Sequence, residues 1–264
     1  MPSLKLVTSS VVAERWLSFR GNQEMLCLRP IMSSNNRKYL GDKVFKKDTF
    51  EALSSQFKSA DEFDIFYMGL STDDIKNDFL RVGTAYLFFV KSGDWHVSVE
   101  RSDPVIGYFT NSFKLVSALS ITESLSNKKH IDFFQWLNKK ANRHLFPIEN
   151  EKSLAQRYKS YKEQYGSIYA VIGFFNNLSQ ATKNTLCKRV TVNDEPIKNI
   201  EELIKLIYKA RSNFAHSTDS TLELSDGFHF GGTKSKRVVW RRFKIEYLLA
   251  AIEEGIVTHF KNLP

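Results

Sequence analysis

From Val105 onward, apolar side chains recur at helical spacing, and this restricts most of the chain to a helical bundle. Phe109, Phe113, Val116 and Leu119 follow one another at three or four residues, the repeat of one face of an α-helix. Ile131 to Leu137 is a second dense apolar segment, and Asn142 to Pro147 is a break. Leu154, Tyr158, Tyr161 and Tyr165 form another stripe. After Gly166, the stretch Ile168 to Leu186 carries Ile172, Phe175 and Leu178 as its core face. Asn-Asp-Glu-Pro, within Val192 to Pro196, predicts a turn. Asn199, with Glu202 three residues later, gives a capping-box-like start to a helix running to about His216. Leu222–Leu224 and Val238–Trp240 flank Gly227, Gly231 and Gly232 and predict a hairpin, and Phe243 to Phe260 predicts a closing amphipathic helix.

The first hundred residues read differently. Glu24 to Met32 and Phe63 to Leu70 are short apolar or aromatic runs with strand character. Lys47 to Phe57 has helical spacing through Phe50, Leu53 and Phe57, while Val82 to Val90 fits a buried strand or a helix equally well. Lys91-Ser92-Gly93-Asp94 is a turn, and the alternation of Trp95, Val97 and Val99 after it favours a hairpin. Asp103-Pro104 closes the region. The expected fold class is α+β: a small mixed α/β domain over 1–104, then a helical bundle over 105–264 with a short β-hairpin before its last helix.

Charge follows the same division. Acidic and basic residues balance over 1–105, so the whole net charge of +9 resides in 106–264. A basic domain beside a neutral one points to a polyanionic partner, of which RNA and DNA are the common cases. With 21 Phe among the 264 residues, the chain has ample material for a core, which excludes a disordered or low-complexity protein. The densest apolar run, Tyr86 to Val90, is bounded by Arg81 and Lys91 and is too short to span a membrane. The start has no signal-peptide core, so a cytoplasmic protein is expected. Cys27 and Cys187 fit neither a disulfide framework nor a zinc site. His96, His130, His144, His229 and His259 form no ligand pair, so neither a metal nor another cofactor is expected.

One segment has the makings of chemistry. Ile200, Leu203, Ile204, Ile207 and Phe214 form an apolar stripe, and Arg211, eleven residues after Ile200, returns almost to the same azimuth. A permanently charged guanidinium at the stripe's edge needs a carboxylate, a phosphate or a wet cleft. Tyr208, Ser212 and Ala215 occupy the sector beside it, and His216 stands at its far side.

Tyr208-Lys209-Ala210-Arg211-Ser212-Asn213-Phe214-Ala215-His216-Ser217 resembles the signature helix of HEPN domains, especially the Apea-like group, whose motif is an arginine followed after four to six residues by a histidine. The resemblance implies a HEPN helical bundle over about 105–264, and its placement after a mixed domain looks like that of antiphage proteins and toxins. It also implies a metal-independent endoribonuclease working as a homodimer, with RNA as substrate and an antitoxin or sensor as possible partner. His216 would then do acid–base work and Arg211 would stabilise charge on the phosphate. Ser212, where many nuclease members carry Asn, Asp or His, would orient the phosphate or the histidine. Tyr208 and Asn213 would contact the RNA. The alternative is a non-catalytic HEPN module that binds RNA or a protein.

A second basic run is Lys234, Lys236, Arg237, Arg241, Arg242 and Lys244, with Trp240 and Phe243 interleaved. Cations for phosphates and rings for bases make it the best nucleic-acid surface in the sequence.

Overall fold

Short polar caps decide where the helices begin. In a computed structural model, which describes residues 37–93, 103–126, 131–217, 222, 224–233 and 236–264 (without the side chains of 103–108 and 233), helix α1 is Lys43–Leu53, opened by Asp42, whose carboxylate accepts from the Val44 N–H. Ser59 opens α2, Ala60–Met68, by accepting from Glu62 N–H, and Thr72 opens α3, Asp73–Tyr86, by accepting from Ile75 N–H. Asp73 and Asp74 lie in the first turn of α3, where the helix dipole favours them, and both pair with Arg37. A wider π-helical turn, Leu87–Lys91, continues α3.

The strand expected at Phe63–Leu70 is therefore a helix. The Ser59 cap and the acidic residues Asp61 and Glu62 start it, and Phe63, Phe66 and Tyr67 sit at i, i+3 and i+4 on one face. Val82 to Val90 is likewise helical. No strand occurs among the described residues before 104, where mixed α/β structure was expected. The readings at Glu24–Met32 and Trp95–Val99 fall outside the described residues.

Beyond it, α4 is Asp103–Ser124, with Pro104 in its first turn, where a missing N–H breaks no helical hydrogen bond. A short α5, Phe133–Leu137, packs with α6, Glu151–Tyr165, around Trp136 and Tyr161. The helix expected from Ile168 to Leu186 is two: α7, Ser167–Asn176, and α8, Gln180–Cys187. Ser179 separates them, its hydroxyl accepting from the Thr182 N–H. Helix α9 is Ile200–Ser217, and Asn199 Oδ1 accepts from the Glu202 N–H at 2.9 Å, the expected cap. Helix α10 is Ile245–Lys261.

A four-stranded antiparallel sheet in the order β2-β1-β4-β3 completes this mostly helical α+β fold. Strand β1 is Val190–Val192 and β2 is Glu195–Pro196, joined through Asn193 and Asp194 at φ 52° and 68°, the two left-handed residues of a tight hairpin turn. Strand β3 is Phe228–Thr233 and β4 is Lys236–Arg241. The glycine-rich segment expected as the hairpin's turn is itself strand, so β3 begins after Gly227 rather than at Leu222.

Residues on both sides of 104 share one hydrophobic core. Phe79 of α3 meets Phe63 of α2 and Phe260 of α10, the latter edge to face at 5.2 Å. Ile200, Leu203, Ile204 and Ile207 of α9 are buried in the same cluster, beside Leu115 and Leu119 of α4.

Candidate functional site

Helix α9 lays its apolar stripe into the core, and Arg211 emerges at the stripe's edge against α4. The arginine side chain is 19% exposed and Glu123 of α4, opposite it, 23%. Arg211 Nη2 lies 3.6 Å from Glu123 Oε1 and 3.5 Å from Ser120 Oγ, while Nη1 lies 3.5 Å from Tyr208 Oη. The guanidinium carbon stands 5.3 Å from the Tyr208 ring centroid, a cation–π contact within the same helix. These are long contacts for a guanidinium, whose good hydrogen bonds fall near 2.9 Å. Arg211 Nε and Glu123 Oε1 are both buried, and neither has a hydrogen-bond partner among the described residues. The cation is thus enclosed and neutralised at a distance, with donor capacity to spare.

Tyr208 belongs to the same cluster. Burial above all, and next the Glu123 charge, push its phenol above the ordinary value, and a hydrogen bond with Glu123 acts in the same direction. The Arg211 charge and a hydrogen bond with Ser167 pull the other way. The hydroxyl therefore stays protonated and remains a donor to acceptors beside the arginine.

His216 is exposed near the end of α9 and makes no contact with Arg211 among the described residues. Five residues separate the two by about 140° around the helix and about 7.5 Å along it. Tyr208, Ser212 and His216, at i, i+4 and i+8, instead form a ridge running away from the arginine's side. Ser212 is half-buried, Asn213 exposed, and the Asn213 carbonyl accepts from Ser217 Oγ at 2.8 Å. The structure thus brings together Arg211, Tyr208, Glu123 and Ser120, and leaves His216 and Asn213 on open surface.

The basic hairpin departs from expectation. Trp240 is 6% exposed and Phe243 fully buried, packed edge to face at 5.3 Å, so neither ring can stack on a base. Alternation along β4 turns Trp240 and Val238 toward the core, and Phe243 beyond the strand joins them. Lys236, Arg241 and Arg242 are exposed, Arg237 grips both oxygens of Asp194, and Lys244 pairs with Asp226 at 3.0 Å. Lys234 lies outside the described residues.

Sequence reasoning missed Glu123 and Ser120. The signal was there for Glu123: it follows Leu119 by four residues, so it is a charge at the edge of the α4 stripe, as Arg211 is on α9. Among the described residues, no three His, Cys, Asp or Glu side chains gather as a metal site would need, and no helix is long and apolar enough to cross a membrane. No family model, curated protein or solved structure matches the chain.

Proposed function

We propose that this chain is a HEPN-type endoribonuclease of antiphage defence or toxin character, cytoplasmic, cutting RNA without metal as a homodimer built through its helical bundle. The observation that carries the reading is Arg211: a part-buried arginine on the motif helix, held only at 3.5–3.6 Å and with its Nε unpartnered among the described residues. A guanidinium in that state retains donors for a phosphate that approaches along α9. The separation of Arg211 from His216 on one helix supports a site shared by two copies, since a two-fold contact would set each arginine near the other copy's histidine. In that cleft Arg211 stabilises the charge developing on phosphorus, and His216 moves the proton of the attacking 2′-hydroxyl or of the leaving oxygen. Ser212 and Tyr208 add hydroxyl donors on the side facing His216. An antitoxin or sensor protein would control the enzyme.

A second reading follows from Glu123. Because this carboxylate already faces Arg211, the pair also suits a purely structural tie between α4 and α9, in a non-catalytic module that binds RNA or a protein. Incubation with total RNA and tRNA in EDTA, wild type beside His216→Ala, separates the two. Cleavage by the wild type and its loss in the variant support the nuclease; an intact RNA pool in both supports the binding module.

A further inference from the structure

The outer face of the sheet carries two rings that the core does not use. Phe228 is 56% exposed and Phe230 72%, both on β3, which is an edge strand. Being two residues apart, they project from the same face, about 6.8 Å from each other along the strand. The register sets Phe228 opposite Arg241 and Phe230 opposite Val239, with Gly232 opposite Arg237. Directly paired residues share a face, so Arg241 and Arg237 stand beside the rings, while Trp240 and Val238 point the other way into the core. Neither phenylalanine contacts another ring among the described residues.

The charge around this face is one-sided. Among the described residues, Asp194 is engaged by Arg237 and Asp226 by Lys244, and Glu195 of β2, opposite Val192, belongs to the other face with Val238. Arg241 has no ion-pair partner among the described residues, and neither do Lys236 and Arg242, at the two ends of β4. Exposed phenylalanines on an edge strand invite aggregation unless something covers them. Here the surrounding surplus is cationic, which selects an anionic occupant carrying flat apolar faces.

We propose that this face is a stacking platform for single-stranded RNA, with Phe228 and Phe230 receiving neighbouring bases and Arg241 the phosphate between or beside them. The choice of RNA rests on the nuclease reading above; the platform is separate from the α9 motif. Phenylalanine stacks on any base, so binding is tolerant of sequence and needs unpaired bases.

The test is fluorescence anisotropy in EDTA with a labelled single-stranded RNA 12-mer and the same strand in a duplex, using the full chain carrying His216→Ala to prevent cleavage. Phe228→Ala and Phe230→Ala each weaken binding to the single strand by about 5- to 100-fold. Phe230→Tyr retains it, and the duplex binds less tightly than the single strand. Arg241→Gln reduces the slope of log affinity against log salt by about 0.7. Both rings being exposed, the alanine variants keep the wild-type melting temperature. No binding of the single strand, equal binding by the double alanine variant, or a double variant that changes only the oligomeric state in light scattering would overturn the platform. Binding that depends on the rings in a wild type that cuts nothing leaves the platform standing and removes the nuclease. Cleavage by a protein indifferent to the rings does the reverse.

Discussion

Lys91, in the π-helical turn after α3, places its Nζ 3.1 Å from Oε1 of Glu253, a buried carboxylate in the middle of α10. The same carboxylate accepts from Tyr86 Oη at 3.1 Å and from Ser55 Oγ, and Lys91 also donates to the Ala52 carbonyl at 2.7 Å. The carboxylate is therefore satisfied from three elements. Removing its cation and removing its charge have different consequences. Lys91→Met leaves a buried anion without its counter-charge and costs about 3 kcal/mol. Glu253→Gln keeps an acceptor for Tyr86 and Ser55 and leaves a lysine that can turn to water, for about 1 kcal/mol. Urea unfolding of the two variants measures the difference, and equal losses would show that the charge pair is immaterial.

Stability should fall in alkali. Burial first, and then Glu253 beside it, raise the Tyr86 phenol far above its ordinary value. A folded pKa above the unfolded one means that the unfolded chain releases the proton first. The contribution of Tyr86 is then whole below about pH 10 and is lost progressively as pH rises above it. Tyr67, Tyr161 and Tyr208 are raised too, each chiefly by burial, and add to the same slope. Melting temperatures recorded from pH 8 to 11 should fall above 10, and less steeply in Tyr86→Phe.

On the proposed reaction, His216→Ala should lose about 10²–10⁴ of the cleavage rate. It should also keep its fold, because the side chain is exposed. Arg211→Lys should cut poorly as well, since an ammonium cannot reproduce the planar two-pronged contact. It preserves the charge opposite Glu123 and so separates catalysis from stability better than alanine does. The products should carry 2′,3′-cyclic phosphate and 5′-hydroxyl ends, and DNA, lacking the 2′-hydroxyl, should survive. End-labelled RNA and DNA of one sequence on a denaturing gel, with and without EDTA, check the rates and the choice of substrate, and the mobility shift after acid opening of the cyclic phosphate checks the ends.

Gly255 lets α10 approach α7. A Cβ built there would stand 2.3 Å from the Phe174 ring tip, so Gly255→Ala forces the ring or the helices to move. The gain in helix propensity is outweighed, and a net loss of about 1–3 kcal/mol is expected in denaturant unfolding. Gly255→Ala combined with Phe174→Leu should recover part of it.

The elements legible in the sequence were those with a long, unbroken period. Five apolar residues and an Asn cap marked α9, and its Arg211 was visible as a charge at the edge of the stripe. Phe63 to Leu70 misled because its aromatic and β-branched residues favour strands in general, whereas one serine hydroxyl at position 59 starts a helix. Ser179 divided α7 from α8 by the same small device. Of the surroundings of Arg211, Ser120 was beyond reach because it lies 91 positions away and meets the arginine only through the packing of α4 on α9. In the hairpin, Trp240 and Phe243 were read as lying with the basic residues, and they lie in the core instead. Along a strand each step reverses direction, so Trp240 points inward while Arg241 next to it points out.

The core described for Phe79, Tyr86, Glu253 and Phe260 also sets an order of events during synthesis. Tyr86 and Glu253 are 167 positions apart, and Ser71 Oγ donates to the Pro264 carbonyl 193 positions on. Helices α1 to α3 leave the ribosome long before α10, the surface against which they bury Phe79 and satisfy Tyr86. Until α10 emerges they present an aromatic face to solvent, and closing so long a loop is slow. Native structure here waits on α10, and a nascent fragment stopping short of Ile245 would need chaperone cover rather than fold by itself.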